Sequence, residues 1–449
     1  MPISPYLTDN PMRVLVTGSS TFFTPRLIQG LGTRQVSVTA ADHHGWSIGK
    51  AMPGTRRLRT PALSHDPAGY LDALNRELKS REYDLLLPTF EESLLLSEFR
   101  HQLESETPLF LPSFDVMWQV HHKPSLHKLC CDLQIPAPPT VTDPIPSDLE
   151  KQVGALRFPV VVKLPGGNNC DGMHYCDTLS ELTERFTALY HRETRQQADP
   201  PFVQQKISGD PIYTLMLCQE GRKLGEVIYR PLRTFPENGG TSSHRESIAH
   251  PQIARLTKRL AEATGWSGFL GLDFIVDRTD GTPYLIDANP RANPAVQLGY
   301  LAGIDWTGLL IDMARGRRPD PMPARPGVRC KTPLLDVLWL MEGLLPRRQW
   351  ARTLLGRFRK VLRPGWTLDS SHDFIGRSEW LGHLAIGWQG FHAIARALCT
   401  GEALGQSFLN GANYDPLTVR QLRQATAMHA DPRNVPAQRA PRGQMASVP

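Results

Sequence analysis

No apolar run in this chain approaches the ~20 residues that a membrane-spanning helix needs. Cysteine is sparse and scattered: Cys130, Cys131, Cys170, Cys176, Cys218, Cys330 and Cys399 make an odd set of 7 with no metal-type spacing. That pattern argues against both a disulfide framework and a zinc site, and the adjacent Cys130 and Cys131 read as packing on a helix. No charge of one sign dominates. A net charge of +6 is modest and does not call for nucleic acid; anionic small substrates suit it equally well. A full dinucleotide fingerprint is also missing. The first turn reads Gly18-Ser19-Ser20-Thr21-Phe22-Phe23, without the second and third glycines that let a backbone approach a pyrophosphate. Residues 1–10 lack a basic-then-apolar leader, so the expected location is a reducing cytoplasm. Internal repeats are absent.

What is present is the composition of a globular protein: 449 residues, 40% hydrophobic and 21% charged, enough for two or three domains. Residues 13–120 alternate strand and helix signals. Strands are expected over 13–18, 36–42, 83–88 and 109–112, with helices over 25–30 and 70–79. This alternation implies a parallel sheet flanked by helices. After the strand at 83–88 comes Pro88-Thr89-Phe90-Glu91-Glu92, whose acids suit the first turn of a helix.

The most informative segment is Asp287-Ala288-Asn289-Pro290-Arg291-Ala292. It follows the strand-like Tyr284-Leu285-Ile286. A second acid, Asp273, lies in the apolar run 269–276, and Asp280-Gly281 between the runs is a strong hairpin signal. Folding there sets Asp273 within about a residue of Asp287, and Asp287 shares a face with Asn289. Three hard oxygen donors then converge in apolar surroundings, where unpaired carboxylates are costly and Mg²⁺ removes the cost. The alternative is two acids flanking an ordinary turn. Upstream, the strand 158–163 ends on Lys163 and runs into Gly166 and Gly167. A terminal lysine followed by free backbone N–H groups is a phosphate-binding device; a surface lysine before a plain loop is the alternative.

Taken together, these features resemble the ATP-grasp superfamily, of the carbamoyl-phosphate-synthase large-subunit type. There an acid on one strand and E-x-N-P-R on the next hold Mg²⁺ and phosphates; here the second element reads D-x-N-P-R. The resemblance covers residues 13–320. It implies an α/β and α+β protein: an N-terminal parallel-sheet pre-ATP-grasp domain over 13–120, a first ATP-grasp subdomain over 121–200 and a second, with the metal site, over 201–330. A helical C-terminal extension over 331–428 and a disordered tail over 429–449 complete the expectation.

Site roles follow from the same resemblance. Lys123, in His122-Lys123 ahead of a helix over 125–133, and Lys163 meet the phosphates, with Gly166 and Gly167 opening the mobile loop over 166–172. The stretch 202–210 resembles the adenine hinge: the Gln205 carbonyl and Ile207 N–H pair with the base, Gln204 reaches the amino group and Asp210 the ribose. Asp273, Asp287 and Asn289 hold Mg²⁺, with Mn²⁺ an alternative ion. Arg291 and Lys163 are the catalytic pair. Glu91 and Glu92 match a P-T-x-E-E element and line the substrate cleft. The long polar loop over 235–245 contacts substrate, with Arg233 or Arg245 meeting an acyl phosphate or else merely exposed to solvent.

The implied reaction is ATP-dependent joining of a small carboxylic acid to an amine through an acyl phosphate, releasing ADP and phosphate. A thiol acceptor, or a regulatory protein that binds ATP with reduced catalysis, are the alternatives. No Met-Lys-Met biotin attachment site is present. Strands over 212–218 and 224–229, a helix over 251–264 stopped by Gly265 and a helix over 293–303 complete the second subdomain. In the extension, residues 347–363 form a basic amphipathic helix without an acid. It reads either as a solvated face over a core stripe or as a surface for an anionic membrane or a carrier protein. An isologous homodimer is the default assembly.

Overall fold

The computed structural model describes residues 11–166, 172–235, 240–332, 335, 371–372, 380–400 and 411–430. Within them the strands form three sheets. The first is parallel and contains β1 (Arg13–Val16), β2 (Ser37–Asp42), β3 (Arg56–Arg59) and β4 (Leu85–Leu87), in the order β3-β2-β1-β4. After Arg13, β1 is an unbroken apolar run, as is β4, because both faces of a parallel sheet are covered; Val14, Leu15, Val16, Leu85 and Leu86 are buried. Two strand expectations need correction. β3, Arg-Arg-Leu-Arg, has no strong apolar signal and forms as an edge strand, where charged side chains keep the open side solvated. Residues 109–112 form no ladder. This segment is tethered to the sheet by the Leu86 N–H, which donates to the Pro108 carbonyl at 2.9 Å.

The second sheet is small and antiparallel: β5 (Thr140–Val141), β6 (Val160–Lys163), β7 (His174–Cys176) and β8 (Phe202–Gln205), ordered β5-β8-β6-β7. Helix Leu179–Arg195 covers it. The Thr178 hydroxyl caps that helix, and Leu182, Phe186 and Leu189 pack against Val160, Val162 and Val203.

The third sheet has eight strands: β9 (Gly209–Gln219), β10 (Arg222–Phe235), β11 (Thr241–Ser247), β12 (Gly268–Asp277), β13 (Pro283–Asn289), β14 (Met322–Pro323), β15 (Arg329–Lys331) and β16 (Ser371–His372). The path runs β13-β12-β9-β10-β11-β15-β16, with β14 beside β10. Glu220 and Gly221 have φ of 50° and 81°, the paired positive values that a two-residue hairpin turn demands. Helix Pro251–Thr264 stops at left-handed Gly265, as its sequence implies. The helix expected over 293–303 is shorter, Val296–Leu301. Its lead-in is pinned by Asn293, which accepts from the Ala295 N–H at 2.9 Å and donates to the Thr214 carbonyl at 3.0 Å. Most of the loop expected over 235–245 is strand, the end of β10 and the start of β11; residues 236–239 lie outside the described residues.

Two apolar clusters run from the parallel sheet into the large sheet without interruption. One joins Leu15, Leu74 and Leu86 to Met216, Leu270 and Leu285; the other joins Val16 and Leu27 to Leu215, Val227 and Trp306. The small sheet keeps its own core. Beyond them, helix Trp380–Thr400 buries Ala385, Gln389 and Ala393. The Gln389 amide accepts from the Ile48 N–H (3.1 Å) and donates to the Ser20 carbonyl (3.4 Å), docking the helix on the parallel-sheet unit. Helix Pro416–Ala430 starts on Asp415, whose carboxylate accepts from the Leu417 and Thr418 N–H groups. It buries Val419 in the first shared core. The basic segment over 347–363 and residues 431–449 lie outside the described residues.

Candidate active site

β12 and β13 pair in the register that the hairpin reading requires. Asp273 faces Asp287, and Gly271 faces Asn289. The register then shifts, because Phe274 faces Leu285. Ile286 is therefore the extra residue of a β-bulge, and a bulge re-aims neighbouring side chains. Ile286, Asp287 and Asn289 consequently all face one cleft, together with Asp273 and Ile275 from β12.

The cleft has a volume of about 430 Å³ and lies between the small and large sheets. Lys163 reaches it from the end of β6, Lys123 from the start of helix Lys123–Asp132, and Gln204, Gln205 and Ile207 from the strand and loop joining the two sheets. Arg291 enters from the turn after β13. The Lys123 ammonium is 3.4 Å from Asp287 Oδ1, and the Lys163 Nζ donates to Gln204 Oε1 at 2.8 Å. The Gln204 amide in turn donates to the Thr140 hydroxyl at 3.0 Å. This fixes which end of the amide is the acceptor and leaves its carbonyl oxygen on the cleft side.

The electrostatics of the cleft would suit a cation. Burial, and then the facing Asp287, push the Asp273 carboxyl up to about 7, while Arg291, Lys123 and Lys163 pull it down. The donor set Asp273, Asp287 and Asn289 is all oxygen, which fits Mg²⁺. Among the described residues a different trio, Asp42, His43 and His44, also brings ligand atoms within 4.8 Å of one another. There the Asp42 carboxylate already accepts from the Ser20 and His44 N–H groups at 2.7 and 2.9 Å, so it serves as a structural anchor.

Not every expected site residue arrives. Gly166 does not line the cleft, and Gly167 lies outside the described residues. Asp210 stands at the surface in an ion pair with Arg278 rather than in the cleft. Arg245 is fully buried in β11, donating to the Ser242 carbonyl and the Thr332 hydroxyl, so it is neither a solvent-facing loop residue nor a lining one. Arg233, on β10, is also outside the lining. Glu91 and Glu92 are buried beneath the cleft rather than exposed in it. A Cβ on Gly18 (φ 64°) would lie 2.7 Å from Glu92 Oε1. The space a dinucleotide would need at that turn is filled by this acid.

Sequence reading missed Tyr213 and Tyr229, whose rings lie 5.6 Å apart on the cleft floor. Register could have found the first of them, since Tyr213 pairs with Asp273 across β9 and β12. Lys206 and Tyr175 were missed as well; they form a cation–π contact at 4.9 Å on the small-sheet wall.

No protein-family model and no curated protein matches the chain. Solved structures do. The biotin carboxylase of Campylobacter jejuni aligns with a TM-score of 0.59 at 16% identity, covering 70% of this chain and 74% of that one. The biotin carboxylase domain of Hydrogenobacter thermophilus 2-oxoglutarate carboxylase, a dimer solved with MgADP and bicarbonate, aligns at 0.58 and 15%, covering 71% and 74%. The L-amino acid ligase of Bacillus licheniformis aligns at 0.54 and 18%, covering 70% and 76%. These likenesses, each over about 70% of the chain, show that it has the ATP-grasp fold.

Proposed function

We propose that this protein is an ATP- and Mg²⁺-dependent carboxylate–amine ligase that works through an acyl phosphate. One observation carries the reading: a single cleft gathers Lys123, Lys163, Arg291, Asp273, Asp287 and Asn289 from elements on both of its sides. The structural likeness to an amino acid ligase and to a carboxylase domain solved with MgADP supports it.

Gln205 and Ile207 offer a backbone carbonyl and N–H to the adenine edge, and Gln204 offers its carbonyl oxygen to the exocyclic amine. Lys123 and Lys163 offset phosphate charge. Asp273, Asp287 and Asn289 would hold Mg²⁺, which would supply further neutralisation of phosphate charge. The substrate carboxylate attacks the γ-phosphorus as the bond to the ADP oxygen breaks. Arg291 stabilises the charge that develops on the transferring group. An amine nitrogen then attacks the acyl carbon, phosphate departs with the bonding electrons, and the amine proton passes to phosphate or solvent. Water must be excluded while the acyl phosphate exists, and the apolar Ile275, Ile286, Tyr213 and Tyr229 around the carboxylates favour that.

The test is ADP release with Mg-ATP against pools of carboxylic acids with amines or thiols, with Lys163→Ala as control. Release that needs both an acid and an amine, and is lost in the control, is expected. A requirement for a thiol would change the acceptor class. Tight ATP binding without release from any pool would overturn the reading in favour of a regulatory nucleotide-binding protein.

A further inference from the structure

Arg291 is held from behind by residues that the reaction itself does not need. Its guanidinium carbon lies 4.4 Å from the centre of the Phe90 ring, and Nη2 lies 3.6 Å from Glu91 Oε1. Glu91 is only 2% exposed, at the start of the helix after β4. A buried carboxylate keeps its charge only with a cation and donors around it. The second donor comes from far away in sequence: the Tyr414 N–H donates to Glu91 Oε2 at 2.9 Å. One oxygen of Glu91 therefore faces Arg291 and the other faces the C-terminal segment.

Tyr414 is itself anchored. Its hydroxyl donates to Glu98 at 2.8 Å, and its ring lies 6.5 Å from that of Trp118. Arg423, on the helix that follows, pairs with the same Glu98 and covers the Phe114 ring at 5.2 Å. These contacts fix the height at which the Tyr414 N–H meets Glu91. The C-terminal segment thus sets the rotamer of a carboxylate that sets the position of the cleft arginine.

We propose that Glu91 is the positioning residue for Arg291, and that the segment around Tyr414 completes the active site through Glu91. The geometry stands by itself; the kinetic consequence rests on the ligase reading. A misplacement of about 1 Å at a group that stabilises the transition state costs on the order of 100-fold in rate, whereas ground-state nucleotide binding is little changed. The contact therefore acts on kcat and not on the KM for ATP.

The experiment uses the full chain with Glu91→Gln, Glu91→Asp, Tyr414→Pro (which deletes the N–H) and, as a control on the same C-terminal region, Gln389→Ala. Two readouts are taken: steady-state kcat and KM for ATP, and the rate of phenylglyoxal labelling at Arg291 by peptide mass spectrometry. In Glu91→Gln and Tyr414→Pro, kcat is expected to fall about 100-fold with the KM for ATP within about threefold of the parent. Arg291 labels severalfold faster once its carboxylate partner is lost or loosened. Glu91→Asp recovers part of the rate because the charge returns, and Gln389→Ala matches the parent in both readouts. Parent-like labelling and kcat in Glu91→Gln overturn the proposal even if Tyr414→Pro fails to fold. If the parent releases no ADP with any acid and amine, the ligase reading falls. The labelling then decides separately: faster modification in Glu91→Gln sustains the positioning, and an unchanged rate overturns it.

Discussion

Two acid clusters in this molecule differ in what surrounds their carboxylates. Asp273 and Asp287 face each other across β12 and β13 and open on a cleft whose nearest charged groups are Lys123, Lys163 and Arg291. Asp42, Glu91 and Glu92 sit at the ends of β2 and β4 and are buried. In the second cluster backbone donors satisfy the acids. Glu92 Oε1 accepts from the Thr89 and Phe90 N–H groups and the Thr17 hydroxyl at 2.8, 3.1 and 2.8 Å. Asp42 falls from an ordinary 3.8 to about 2: burial raises it, but the His44 hydrogen bonds and the charges of His43 and His44 outweigh that. Burial still holds the Glu92 carboxyl above its ordinary value despite those donors, and in the first cluster burial and the facing Asp287 together push Asp273 up to about 7. A carboxylate whose partners are built in is structural. One that is pressed against another acid in an open cleft is left with the cost of its charge.

Substitution separates the two clusters. Asp273→Asn should lower ADP release by about 1,000-fold. In chelator it should raise Tm by about 2–4 °C, because it removes a desolvated charge facing another acid. Scanning calorimetry and the coupled ADP assay read both, and a Tm that drops would break the contrast. Glu92→Ala should do the reverse of stabilising: it strands three buried donors and costs about 3 kcal/mol in urea unfolding. A loss below about 1 kcal/mol would mean that water replaces the carboxylate.

The smallest effect is on acid stability. The folded-state value of Asp42 lies below its ordinary one, so the native state binds fewer protons there and stability rises with pH. Its contribution is fully present above about 3.8 and is lost as pH falls through about 2. Asp42→Asn should flatten that window by about 2 kcal/mol, read from urea midpoints between pH 2 and 5. An unchanged acid limb would show that the His43 and His44 contacts do not hold the carboxylate.

Local chemistry made much of the cleft legible. Asp280-Gly281 set a hairpin and strand alternation set which side chains share a face, so Asp273, Asp287 and Asn289 could be placed together before any fold was known. Gly265 stopped its helix where its permissive backbone allows. The bulge at Ile286 was invisible, because a one-residue shift in the pairing of β12 and β13 leaves no local mark in the sequence. Arg233 and Arg245 were attached to a polar stretch that reads as loop, and only pairing partners turn it into strand. Glu91 and Glu92 could be read as cleft acids or as a helix start, and their burial was decided by chain segments far from them in sequence.

By itself the sequence determined many of the elements, the hairpin turn, and which residue types could hold phosphate and cation, since all of these depend on neighbours within a few residues. Only the tertiary structure decided that Glu92 fills the Gly18 turn, that two tyrosines floor the cleft, and that Tyr414 reaches Glu91 behind Arg291. Those contacts join segments up to 323 positions apart, and no local preference encodes them. They exist because shared apolar cores bring the parallel sheet, the large sheet and the C-terminal helix together.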